Sequence, residues 1–333
     1  MMLTWKAGLS EAIQFIFNVG AVFFNLIFLN MLRREYFHLN MRIILALNSF
    51  SLIVAQFSAL LSDNIIDHLP YDMRELKSVI DVLRDAALNV NTFMVIPLVG
   101  ERIVASFSSR KYEQVGRSWY MAYALSFVLV SWILNLLAAF YTEDILTNFD
   151  LSGPVAKLRS EAEGNKYWLV VYYAAGGAIN IISFLIFVAL YKYNQYYYNT
   201  GVDITHHSLS LRYQLAENVR TGKQLMPVAL LTSVTQTFYG FVLTGAVWSA
   251  FTSHFMEAML LIIPPTCAVT ATLTPLVYIW FHNTMRRSIL NALQIEHSHA
   301  THWQVEGLNG KNLLVEKNET PTVHFQMLTK SWL

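Results

Sequence analysis

Three groups of side chains in this chain have the types and spacing for more than packing. Glu101 and Arg102 are adjacent opposite charges at the end of an apolar run, where ionisable groups are costly unless they pair or reach water. Asp81, Asp85 and Asn89 recur every four residues, which lines them on one stripe of a helix. Asp81 precedes Glu101 by twenty residues, about 30 Å along a helix axis, so the stripe and the charge pair belong at opposite ends of one element. The third group, Arg212, Tyr213, Glu217, Arg220 and Lys223, leads into another apolar run, with Tyr213 and Glu217 again one helical turn apart. None of the three is a catalytic constellation. The chain has no His-Glu-x-x-His signature, and His38, His206-His207 and His297-Ser298-His299 are too isolated to ligate a metal. We therefore expect neither an enzyme nor a cofactor.

The elements that position these groups are set by hydrophobicity. Of the 333 residues, 55% are hydrophobic and 14% charged, where a soluble domain would carry about a quarter charged residues, and the mean hydropathy is +0.39. The apolar residues fall into seven blocks: Ala12–Leu32, Ile43–Leu61, Ala86–Ala105, Trp119–Tyr141, Tyr167–Tyr191, Leu225–Trp248 and Phe255–Phe281. At about 1.5 Å per residue each crosses the ~30 Å hydrocarbon layer as a helix that satisfies its own backbone. The expected fold is an all-α membrane protein, a seven-transmembrane-helix bundle over residues 1–285, followed by a tail, 286–333, that begins with a short amphipathic helix carrying Arg286 and Arg287. With the N-terminus outside, 16 of the 23 Lys and Arg face the cytoplasm, so the positive-inside rule puts the C-terminus inside. The first helix then serves as an uncleaved signal. Basic residues are dispersed over the loops rather than gathered on one surface, which argues against a nucleic-acid partner.

The segments at the inner helix ends carry three motifs: Phe37-His38-Leu39-Asn40, Glu101-Arg102-Ile103-Val104-Ala105, and Arg212-Tyr213-Gln214-Leu215-Ala216-Glu217-Asn218. In this order they resemble the FHxN, ERxxA and RYQxxEN patterns of the nematode serpentine chemoreceptors of the Sra superfamily, most closely class Sre, with Srab and Srb as alternatives. The resemblance implies a G-protein-coupled receptor in the plasma membrane of a sensory-neuron cilium, with a small-molecule ligand outside and a heterotrimeric G protein inside. It implies that Glu101 and Arg102 act as an activation switch, since rhodopsin-like receptors hold the helix-three arginine through such a pair. The alternative is a pair of snorkelling charges that anchors the helix at the interface. The G-protein-facing residues would be His38, Asn40, Arg110, Lys111, Tyr112, Arg212, Tyr213, Glu217, Arg220 and Lys223, with a hydrogen bond through His38 or Asn40 closing the first loop.

In the last block, Thr274-Pro275-Leu276-Val277-Tyr278 is similar to the Asn-Pro-x-x-Tyr switch of rhodopsin-like receptors, with Thr in place of Asn. Candidate pocket residues are Asp81, Asp85, Asn89, Gln56, Tyr172, Gln236 and Tyr239; each is also readable as an interhelical hydrogen bond or an interface anchor. Cys267 is the only cysteine, so no intrachain disulfide can form. A transporter would show repeats with broken helices in both halves, but the prolines concentrate in one block. A ligand-gated channel of inverted topology is disfavoured by the basic inner loops, and a dimer is left open.

Overall fold

A computed structural model of the chain describes residues 2–34, 37, 39–64, 74–107, 123, 125–133, 166–200, 209–247 and 253–293. The labelled elements are helices: α1 (Met2–Leu32), α2 (Leu39–Asn64), α3 (Arg74–Phe93), α4 (Val95–Phe107), α5 (Lys166–Thr200), α6 (Leu209–Val247), α7 (Ser253–Phe281) and α8 (Asn283–Ala292). Six stretches among the described residues are long and apolar enough to cross a membrane: Gly8–Leu32, Leu39–Asp63, Val79–Phe107, Ala174–Thr200, Gln214–Val242 and Leu261–Phe281. They coincide with six of the seven hydrophobic blocks. The fourth block, Trp119–Tyr141, lies for the most part outside the described residues; within it, 125–133 is helical.

Contacts divide the chain into Met1–Arg286, which holds the bundle, and Arg287–Leu333, of which 287–293 is described. In the bundle, α1 packs on α2 and α7, α2 on α3, α4 on α5 and α6, and α6 on α5 and α7. Its surface is inverted relative to a water-soluble protein. Ile16 and Phe241 are 65% and 64% exposed, while Asn18, Asn25, Ser51, Gln56 and Asn180 are buried. Apolar side chains outside and polar ones inside suit hydrocarbon as the solvent.

The third span is two helices, not one. Phe93 ends α3, Met94 is a turn, and α4 starts at Val95. Pro97 explains the break: it has no N–H to return to the carbonyl of Phe93, one turn earlier. Prolines also interrupt the ladder of α7, at 264, 265 and 275, and for two of the three α1 compensates. Pro265 leaves the Leu261 carbonyl without its i+4 donor, and Ser10 Oγ donates to that carbonyl at 2.9 Å. Pro275 does the same to Ala271, and Asn25 Nδ2 donates there at 3.1 Å. Between these two levels Thr272 Oγ1 donates to the Phe17 carbonyl at 2.8 Å. Three hydrogen bonds thus tie α1 to α7.

Candidate functional site

The polar groups of the third span form three levels, each tied to other helices. At one end, Ser62 Oγ of α2 donates to Asp81 Oδ1 at 2.7 Å. Arg84 lies between three carboxylates, with Nη1 3.0 Å from Asp81 and 3.6 Å from Asp63, and Nε 3.1 Å from Asp85. Gln14 Nε2 of α1 donates to the other oxygen of Asp63 at 2.8 Å. Two of the three residues of the predicted stripe, Asp81 and Asp85, therefore enter one charged cluster around Arg84. Asn89, one turn on, is half-buried on the same helix.

The middle level sits beside the α3–α4 break. Thr92 Oγ1 donates to Gln236 Oε1 of α6 at 3.1 Å, and Asn180 Nδ2 of α5 donates to the Thr92 carbonyl at 3.1 Å. Ser233 Oγ of α6 donates to the Asn180 carbonyl at 2.7 Å, closing a three-helix knot. Two glycines let α5 come this near. A Cβ on Gly176 would stand 3.3 Å from Thr92 Cγ2, and one on Gly177 would stand 3.6 Å from the Cα of Thr237. Of the pocket candidates, Gln236 is thus engaged with Thr92. Gln56 is buried on α2, Tyr239 is half-buried on α6, and Tyr172 lies on α5.

At the other end, Arg102 donates through Nε and Nη2 to both carboxylate oxygens of Glu101, and both residues are buried. Sequence reasoning paired these two, and the structure makes the pair bidentate. Around it, Asn194 Nδ2 of α5 donates to Ser106 Oγ at 2.8 Å, and Ser106 Oγ donates to the Arg102 carbonyl at 2.8 Å. From α6, Asn218 Nδ2 donates to the Ala105 carbonyl at 2.9 Å. This last bond joins the final residue of the Arg-Tyr-Gln motif to the final residue of the Glu-Arg motif. The pair thus sits where α4, α5 and α6 are sewn together.

The remaining predicted residues are placed as follows. The segment carrying the Arg-Tyr-Gln motif is the first part of α6, and Arg212 and Tyr213 lie on that helix. Glu217 accepts from Thr221 Oγ1 at 3.4 Å, and Arg220 and Lys223 are exposed. Thr274 Oγ1 donates to the Thr270 carbonyl at 2.8 Å, Pro275 is fully buried, and Tyr278 stacks on Phe28 of α1 with ring centroids 5.1 Å apart. His38, Arg110, Lys111 and Tyr112 lie outside the described residues. Asn40 is buried in the first turn of α2, but its Oδ1 has no hydrogen-bond partner among the described residues, so the expected loop-closing bond is not made by that oxygen. Phe37, in the same loop, meets the His282 ring edge-on at 4.8 Å. His282 in turn accepts from the Met285 N–H through Nδ1 at 3.3 Å, within the first turn of α8. Among the described residues no His, Cys, Asp and Glu side chains gather as a metal site.

Inverted polarity and six membrane-length spans among the described residues define a multi-pass helical membrane protein. The model of the Sre G protein-coupled chemoreceptor family matches residues 164–333, half of the chain, and the chain belongs to that family. No curated protein matches the chain. The matched region contains α5 to α8 and the Arg-Tyr-Gln motif, while the first-loop and Glu-Arg motifs precede it.

Proposed function

We propose that this chemoreceptor binds a small molecule in the outer half of the bundle and passes the signal to a heterotrimeric G protein at the inner face. The ligand site lies around Asp81, Asp85 and Asn89, with Gln56, Tyr172, Gln236 and Tyr239 as further candidates. The inner face comprises His38, Asn40, Arg110, Lys111, Tyr112, Arg212, Tyr213, Glu217, Arg220 and Lys223. The N-terminus is outside, the C-terminus inside, and the location is the plasma membrane of a sensory cilium. The path of the described helices supports seven crossings. Thr92 and Ser106 of the third span meet Asn180 and Asn194 of α5 in the same order, so the two run in the same direction. A return crossing between Phe107 and Lys166, for which the fourth hydrophobic block is long enough, fits that direction.

The observation that carries this reading is the Glu101–Arg102 pair, buried where α4 is bonded to both α5 and α6. Ligand shifts the equilibrium by its differential affinity for the two states. In the active state α6 stands away from α4, the Asn218–Ala105 bond opens, and Arg102 is released toward the partner. Thr274, Pro275 and Tyr278 give α7 the bend that accommodates this motion. Glu101→Gln should weaken the hold on Arg102 and raise ligand-independent G-protein activation several-fold, measured as nucleotide exchange at matched surface expression. Basal exchange equal to that of the parent receptor would remove the pair from the switch.

A further inference from the structure

Gln214 and Asn218 stand one turn apart on α6, each 8% exposed, and their amides fare differently. Asn218 donates to Ala105 of α4. Gln214 has neither a donor nor an acceptor engaged, since both Nε2 and Oε1 are buried without a hydrogen-bond partner among the described residues. Other buried amides of the bundle, Asn18, Asn25, Asn180 and Asn194, each leave one atom so. An unpaired buried polar group is costly, and an apolar side chain of equal length would suit this conformation better. The amide therefore serves a different state. Its position indicates which. Gln214 is the first residue of the membrane-length part of α6, at the end where α4, α5 and α6 are sewn together.

We propose that the Gln214 amide is a docking contact for the peptide backbone of the cytoplasmic partner. A primary amide offers a donor and an acceptor side by side, the complement of one backbone peptide unit. When the Asn218–Ala105 bond opens and α6 moves from α4, this pair becomes reachable, and the partner supplies both missing hydrogen bonds. The proposal rests on the G-protein reading above and assigns one of its contacts to a residue.

The test uses the full-length receptor in nanodiscs with purified nucleotide-free heterotrimers of the Gi/o, Gs and Gq classes. Gln214→Met keeps length and removes the amide. The expected result is a partner-free receptor that melts at a higher temperature than the parent yet binds the heterotrimer about tenfold more weakly, the worth of one or two hydrogen bonds. Gln214→Glu, which keeps the acceptors and loses the donor, should bind with intermediate affinity, and it carries the test alone if the Met variant fails to fold. Higher stability with unchanged heterotrimer affinity would make Gln214 a packing defect and overturn the proposal. If the parent receptor binds none of the heterotrimers, the G-protein reading itself fails and takes this contact with it.

Discussion

Pro275 withdraws an N–H from α7, and Asn25 of α1 supplies the replacement donor to Ala271. This exchange makes a double-mutant cycle informative. Asn25→Ala should cost about 1–3 kcal/mol, because the Ala271 carbonyl is then buried unpaired. Pro275→Ala restores an N–H at the right place, so Asn25→Ala should cost measurably less in that background, read as unfolding free energy or melting temperature in mild detergent. Equal costs in both backgrounds would mean that Asn25 does not act through this carbonyl. Glu101 and Arg102 call for a different kind of substitution. Removing Arg102 outright would strand a buried carboxylate, at about 3–5 kcal/mol, and confound signalling with misfolding. Glu101→Gln keeps the shape and is the cleaner probe of switching.

At the scale of helices, the six described spans were readable from the sequence because hydropathy over about 20 residues is a bulk property that needs no partner. The pairing of Glu101 with Arg102 was readable because the two are neighbours. The interhelical partners were not. Asn25, Thr92, Asn194, Asn218 and Ser233 carry no mark of the helix each one meets, because the sequence does not show which way a helix is turned in its bundle. Gln236 stood out as a candidate pocket residue, but its engagement with Thr92 rather than with open space depends on how closely α6 approaches α3. The split at Met94 had a visible cause in Pro97, since proline in a transmembrane helix signals a missing hydrogen bond. Close approach of α5 rests on Gly177, whose Cβ position lies 3.6 Å from the backbone of α6. Gly177→Leu should force α5 and α6 apart, break the Ser233–Asn180 bond and lower the melting temperature by several degrees. A variant as stable as the parent would show that the two helices are not held in this contact.

For the whole molecule, orientation decides whether the inner motifs can meet a G protein. Tagging each terminus and testing antibody access before and after permeabilising cells should find the N-terminal tag accessible on intact cells and the C-terminal tag only after permeabilisation. The opposite pattern would put Arg102 and Arg220 outside and end the G-protein reading. The links between α1 and α7 also bear on how the chain is made. The first helix leaves the ribosome long before the last, carrying Asn18 and Asn25 on the stripe that becomes fully buried. Until α7 is inserted, Asn25 has no Ala271 to meet, and the Leu261 and Ala271 carbonyls have no α1 donors when they first emerge. Completion of the bundle is therefore a post-insertion event that joins the two ends of the polypeptide. A nascent chain that stalls or is cut short before α7 presents lone asparagines to lipid, the kind of signal by which membrane quality control can tell an unfinished receptor from a finished one.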